Sequence, residues 1–240
     1  MFTIRNKESR TPYYARAVTA AFFAFSLACR SAAAQTFQFL PEVDAYTKIA
    51  PNIRFSFQAK ETREAGDPTQ AAIGPSFDFY VKPLVRLEKI SIFDPDEAKA
   101  QLFQLFAGFR YLASPTNPHT ERLEVGLIVN FPLHHKILFS DRNRMDLDWS
   151  RDVFTWRYRN RAKLQRAINI GPYRPAPYLG AEFFYLSQLQ KWSTTALFAG
   201  CLLPLGKNYS LDAYYEHQNI TRGPRNQQLN QLGLILNLYF

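Results

Sequence analysis

The densest chemistry in this chain of 240 residues lies between Phe154 and Tyr185. Arg157, Arg159, Arg161 and Lys163 recur at every second residue, and Glu182 follows on the next segment. Cations at that spacing stand on one face of a strand, and a carboxylate on the neighbouring strand makes charge-assisted, bidentate pairs with them. Two uses stay open. One is an electrostatic plug that fixes strand register; the other is a positive ring that binds or selects anions. The plug is the simpler, because a lone Glu among arginines first needs neutralising.

A second constellation is catalytic in type. His217, beside Glu216, is the one histidine worth naming as a general base, and Asp146, Asp148 and Asp212 can approach it at one end of the molecule. The layout resembles the Asp–His arrangement of outer-membrane proteases and would make the chain a hydrolase of lipid or peptide at an outer rim. A satisfied rim histidine is the plainer reading. His119, His134, His135 and His217 have no serine two residues on, and G-x-S-x-G, H-E-x-x-H, G-x-G-x-x-G and Walker motifs are missing. No cofactor and no metal site is expected, and the balance leans away from an enzyme.

The elements that must position these groups are strands. Ile53, Phe55, Phe57 and Ala59 alternate with Arg54, Ser56, Gln58 and Lys60; Leu123, Val125, Leu127, Val129 and Phe131 alternate with polar neighbours in the same way. Eleven such segments lie near 37–49, 52–60, 73–82, 101–112, 122–131, 135–149, 154–164, 176–186, 191–204, 208–218 and 228–240. Pro, Gly and Asn separate several of them, as in Ala50-Pro51-Asn52 and Gly206-Lys207-Asn208. Leu84–Phe93 is a poorer twelfth candidate, with apolar and charged residues on both parities.

Residues 1–34 read as a cleaved export signal. Arg5, Lys7, Arg10 and Arg16 precede an apolar run at 17–29, and Ala32-x-Ala34 offers a cleavage site. That run is too short to span a bilayer as a helix. The signal carries five basic residues and one acidic one, so the formal charge of +9 falls to +5 over residues 35–240. Nucleic acid is therefore not an expected partner. Cys201 is then left alone in an oxidising compartment, so no intramolecular disulfide is expected, and a buried or lipid-facing thiol is the plain reading.

The strands are near the length that crosses a membrane at a tilt, about 9–11 residues. Leu232, Leu234, Leu236, Leu238 and Phe240 alternate to the terminal carboxylate, which resembles the assembly signal of bacterial outer-membrane barrels. Arginines facing lipid cost ~2–4 kcal/mol each at mid-bilayer, so the charged parity belongs inside. Glu42, Asp44, Arg54, Asp78, Arg110, Glu124, Asp146, Glu182, Asp212 and Glu216 are assigned to the lumen on that argument. Working back from a periplasmic Phe240, the 217–227, 186–191 and 148–152 turns share the opposite rim with Trp149, Trp156 and Trp192.

The segment FTWRYRNRAKLQRAINIGPYRPAPYLGAEFFY at 154–185 carries a resemblance. Its Arg157, Arg159, Asn160 and Arg161, followed by Pro177, Tyr178, Leu179, Glu182, Phe184 and Tyr185, resemble an uncharacterised bacterial family of outer-membrane β-barrels, a domain of unknown function. The resemblance implies the barrel and the outer membrane, and it brings no substrate or catalytic residue. The expectation is an all-β, antiparallel transmembrane barrel over 35–240 with about twelve strands, or ten as the fallback. It would be a narrow channel or structural component of the bacterial outer membrane, among lipids and lipopolysaccharide, inserted by the barrel assembly machinery.

Overall fold

The computed structural model describes residues 36–81, 92–222 and 226–240. The export signal and residues 84–91 of the twelfth candidate strand lie outside the described residues. Eleven strands form one closed ring: β1 Thr36–Ala50, β2 Ile53–Glu64, β3 Asp67–Val81, β4 Phe103–Ala113, β5 Thr120–Leu133, β6 Ile137–Ser150, β7 Val153–Arg166, β8 Ala176–Leu186, β9 Lys191–Pro204, β10 Tyr209–Ile220 and β11 Gln227–Tyr239.

Each of the eleven alternating segments is one of these strands, and neither twelve nor ten is the count. β3 pairs directly with β4, from Ala71↔Ala113 to Val81↔Phe103, so both edges of each are occupied and the ring has no place for a strand between them. Ile92 and Phe93, the described end of the candidate, are not in a strand. An odd ring of up-and-down strands must close with its first and last strands running the same way. β1 and β11 accordingly pair in parallel, from Thr36↔Leu229 to Tyr46↔Tyr239, while every other pair is antiparallel. The ends of the strand path, Thr36 and Tyr239, therefore sit at opposite rims.

The C-terminal rim carries the connections 51–52, 134–136, 167–175 and 205–208 and the end of β3; the N-terminal rim carries 65–66, 114–119, 151–152 and 187–190 and the end of β10. Trp149, Trp156 and Trp192 share the N-terminal rim, where Trp156 stacks on Tyr185 at 5.5 Å and Trp192 meets the same ring edge-on. The 65–66 turn at this rim is tight. Ala65 and Gly66 both have positive φ, the backbone that a two-residue hairpin turn requires.

Register fixes which side chains face in. The outward parity is apolar, with Leu179 and Leu197 each 60% exposed, and the inward parity is polar, with Asp146 and Glu182 fully buried. All ten residues assigned to the lumen from the sequence stand on the inward parity. Inward glycines lie beneath inward rings: a Cβ on Gly180 would run into Phe198, and one on Gly233 into Tyr214. The outer face has a polar interruption between β6 and β7. There the Asn160 amide donates to Asp141 at 2.8 Å and to Asn143 at 3.0 Å, and the Tyr158 hydroxyl donates to Asn143.

Candidate functional site

The lumen is lined by ion pairs that the register brings side by side. Arg54 pairs across strands with Asp78 at 2.7 Å, Lys60 with Glu42 at 3.2 Å, Arg122 with Asp148 at 2.6 Å, and Arg157 with Asp146 at 2.6 Å. Each pair occupies opposed positions on neighbouring strands, so a one-residue slip of either strand would send its charge to the outer face and leave the partner unpaired.

The predicted cluster is assembled on β7 and β8. Glu182, wholly buried, takes Arg159 on Oε1 at 2.9 Å and Arg161 on Oε2 at 2.6 Å, each arginine giving two nitrogens to its oxygen. Arg142 reaches the same carboxylate at 3.6 Å. One strand away, Asp146 holds Arg144 at 2.7 Å and Arg157 at 2.6 Å. Rings cover the guanidinium planes: Phe184 lies 4.6 Å from Arg159, and Phe198 lies 4.6 Å from Arg161.

Asp146 thus joins the arginine network, although the sequence reading placed it among catalytic candidates. His217 is separated from all three of its proposed acids by the sheet itself. It stands on the outward parity of β10, its Nδ1 2.8 Å from Asn230 Oδ1, whereas Asp212 faces inward and accepts from the Tyr178 hydroxyl at 2.6 Å. Asp148 also faces inward, in its pair with Arg122.

Two contributors were missed in the sequence. Arg142 and Arg144 belong to the inward parity of β6, but Asp141 and Asn143 put polar residues on the outward parity too and blur the alternation. Counting back from the rim tryptophan Trp149 would have restored it.

The other contributor is the stretch 92–101, which enters the barrel at the C-terminal rim. Ile92 packs with Leu138, Ala176 and Leu202 in an apolar cluster, and Phe93 meets the Tyr239 ring at 5.8 Å. Asp96 lies 3.6 Å from Arg54, and the Gln101 carbonyl accepts from the Asn130 amide at 2.9 Å. Between these anchors the backbone N–H groups of Ala98 and Lys99 donate to the Asp94 carboxylate at 3.0 and 2.6 Å, and Lys99 Nζ donates to the Phe93 carbonyl at 2.8 Å. Burial raises the Asp94 carboxyl above its ordinary value, against the pull of Lys99. Burial also lowers the Lys99 ammonium, against Asp94 and Asp212. The lumen holds a cavity of about 670 Å³, lined by inward residues of all eleven strands and, from this segment, by Asp94, Ala98 and Lys99.

A family model described as "Protein of unknown function (DUF2490)" matches residues 99–229, more than half of the chain. The chain belongs to this family. The DUF2490 match spans β4 to β10 and contains the whole 154–185 segment, and β1–β3 lie outside it. No curated protein matches the chain. Arginines 142, 144, 157, 159 and 161, with Asp146 and Glu182, all fall inside the DUF2490 region, as does Lys99.

Proposed function

We propose that this DUF2490 protein is an outer-membrane β-barrel with a narrow, charge-lined pore, closed at its C-terminal rim by the 92–101 segment. The observation that carries the reading is the inversion of the barrel's two faces. Phe77, Leu105, Phe109, Leu179 and Leu197 stand exposed on the outside, while the ion pairs of Asp146 and Glu182 are sealed within. Exposed apolar surface costs water ~25 cal/mol per Å², whereas lipid accepts it at no cost; closure satisfies every strand edge in the bilayer. The aromatic cluster at the N-terminal rim fits an interfacial belt.

On this reading residues 1–34 are the export signal, Leu232–Phe240 is what the barrel assembly machinery recognises, and lipids with lipopolysaccharide surround the outer face. The test is fractionation together with heat-modifiability. Recovery in outer-membrane fractions, with a mobility shift between unboiled and boiled samples that is slowed by deleting Phe240, supports it. A detergent-free soluble protein without a shift overturns it. Unit conductance steps in planar bilayers then test the pore.

A further inference from the structure

The β6–β7 wall carries more positive charge than its carboxylates neutralise. Six cations face inward on these two strands: Arg142, Arg144, Arg157, Arg159, Arg161 and Lys163. Among the described residues, the carboxylates within 4.0 Å of them are Asp146, Glu182, Glu124 and Glu216, and Glu124 is shared with Arg110. Even if all four count in full, at least two charges are left over.

The surplus has an address. Among the described residues, the carboxylate that Arg142 reaches is Glu182, at 3.6 Å, after Arg159 and Arg161 have taken its two oxygens. Lys163 reaches no carboxylate among the described residues; its Nζ stands 5.1 Å over the Tyr178 ring. Arg142 opposes Arg161 and Ser140 opposes Lys163, so Arg142 and Lys163 are diagonal neighbours on one face.

The inserted segment supplies a third cation to the same cavity, along with the Asp94 carboxylate, whose two oxygens are taken by the Ala98 and Lys99 N–H groups. Lys99 donates to the Phe93 carbonyl and makes no ion pair within 4.0 Å among the described residues. Asp212 is the acid that faces both lysines, and one of its oxygens is engaged by the Tyr178 hydroxyl. Cations converging in a partly dehydrated cavity repel one another strongly and gain most from a shared multivalent anion. A guanidinium offers two parallel N–H groups to two oxygens, and ammonium groups take a third.

We propose that Arg142, Lys163 and Lys99 form a binding site for a phosphate-class oxyanion, free or as the head of a small solute, between the β6–β7 wall and the inserted segment. The site rests on the lumen being the working cavity, as in the reading above, but it does not require conduction. Because Lys99 belongs to the segment and the other two belong to the wall, the bound anion ties the segment in place and favours the closed barrel.

The experiment uses the full mature chain refolded in detergent micelles, with the unboiled gel shift checking the fold of every variant. Inorganic phosphate and glycerol 3-phosphate are titrated calorimetrically into protein in chloride buffer. The expected result is saturable binding of one anion per chain, weakened about ten-fold or more in Arg142→Gln and in Lys163→Met, the size expected for losing a charge-assisted contact. Lys60→Met, which removes a lumenal cation that has its own Glu42 at 3.2 Å, leaves binding unchanged. Tighter binding of glycerol 3-phosphate identifies the head of a solute, and equal binding identifies free phosphate. Absence of saturable heat in the folded barrel, no loss in the two variants, or an equal loss in Lys60→Met overturns the site. A barrel that binds phosphate but never conducts sinks the pore and leaves the site standing; one that conducts without binding does the reverse.

Discussion

Arg161 lays its Nε and one terminal nitrogen on a single oxygen of Glu182, at 3.0 and 2.6 Å. The two residues face each other across β7 and β8, and the carboxylate is fully buried. Arg159 holds the other oxygen and Arg142 approaches it, so one carboxylate serves three guanidinium groups. Removing such an acid leaves uncompensated buried charge. Glu182→Ala is expected to cost about 3–5 kcal/mol, and Glu182→Gln a comparable amount, because the amide keeps the shape and loses the charge. Arg161→Ala should cost less, since two cations still serve the carboxylate. Urea unfolding midpoints of the refolded barrel, followed by tryptophan fluorescence, check the order.

The parity of β7 was legible because Phe154, Trp156 and Tyr158 alternate cleanly with Thr155, Arg157 and Arg159, and the inward parity of Glu182 on the next strand put it on the same face; the register that opposes it to Arg161 comes from the structure. β6 was harder. Asp141 and Asn143 lie on its outer face, where their hydrogen bonds to Asn160 make polar residues tolerable, and only the three-dimensional pairing explains them. The strand count failed for a different reason. Local patterns identified the segments, but closure is a property of the ring, and nothing in Thr36–Tyr46 announces a parallel partner in Leu229–Tyr239. Lys99 was invisible for the same kind of reason: the insertion of 92–101 is set by contacts such as Ile92 with Leu138, far away in sequence.

Gly233 lies directly under the Tyr214 ring, so a side chain there has nowhere to go without displacing the ring. Gly233→Val is expected to destabilise the barrel by about 1–3 kcal/mol through overpacking. Tyr214→Ala in the same chain should recover part of that loss, because it clears the space. Comparing the two unfolding midpoints with that of the double variant measures the coupling.

The seating of the inserted segment should respond to pH through two groups of opposite sign. The Asp94 carboxyl is raised by burial, so its folded value lies above its unfolded one. The stability it contributes is therefore full below the unfolded value and lost as pH rises through the raised value. Lys99, lowered by burial, has the opposite sign: its contribution is present at alkaline pH and lost as pH falls through the lowered value. Relative to Asp94→Asn, the parent barrel should gain stability as pH falls through a window above the ordinary carboxylate range. Relative to Lys99→Met, it should lose stability as pH falls through a window below the ordinary lysine range. Urea midpoints against pH for the three chains test both signs, and parallel curves would rule the titrations out.

The outer face gives the sharpest division between a barrel in lipid and the same barrel in water. Leu197 sits mid-strand on β9, on the outward parity, and is 60% exposed. In water, exchanging an exposed leucine for arginine is close to neutral, within about 0.5 kcal/mol. In a bilayer the guanidinium must be dragged into hydrocarbon, at ~2–4 kcal/mol near the midplane and ~0–1 kcal/mol near the interface. Leu197→Arg is therefore expected to destabilise the barrel refolded in lipid vesicles by about 2–4 kcal/mol. Trp192→Arg, on the same strand at the N-terminal rim, should cost about 1 kcal/mol or less for the charge itself. Unfolding both variants by denaturant in vesicles reads the depth dependence directly. Equal and small effects at the two positions would mean that the β9 surface faces water, and the membrane reading would fall with that result.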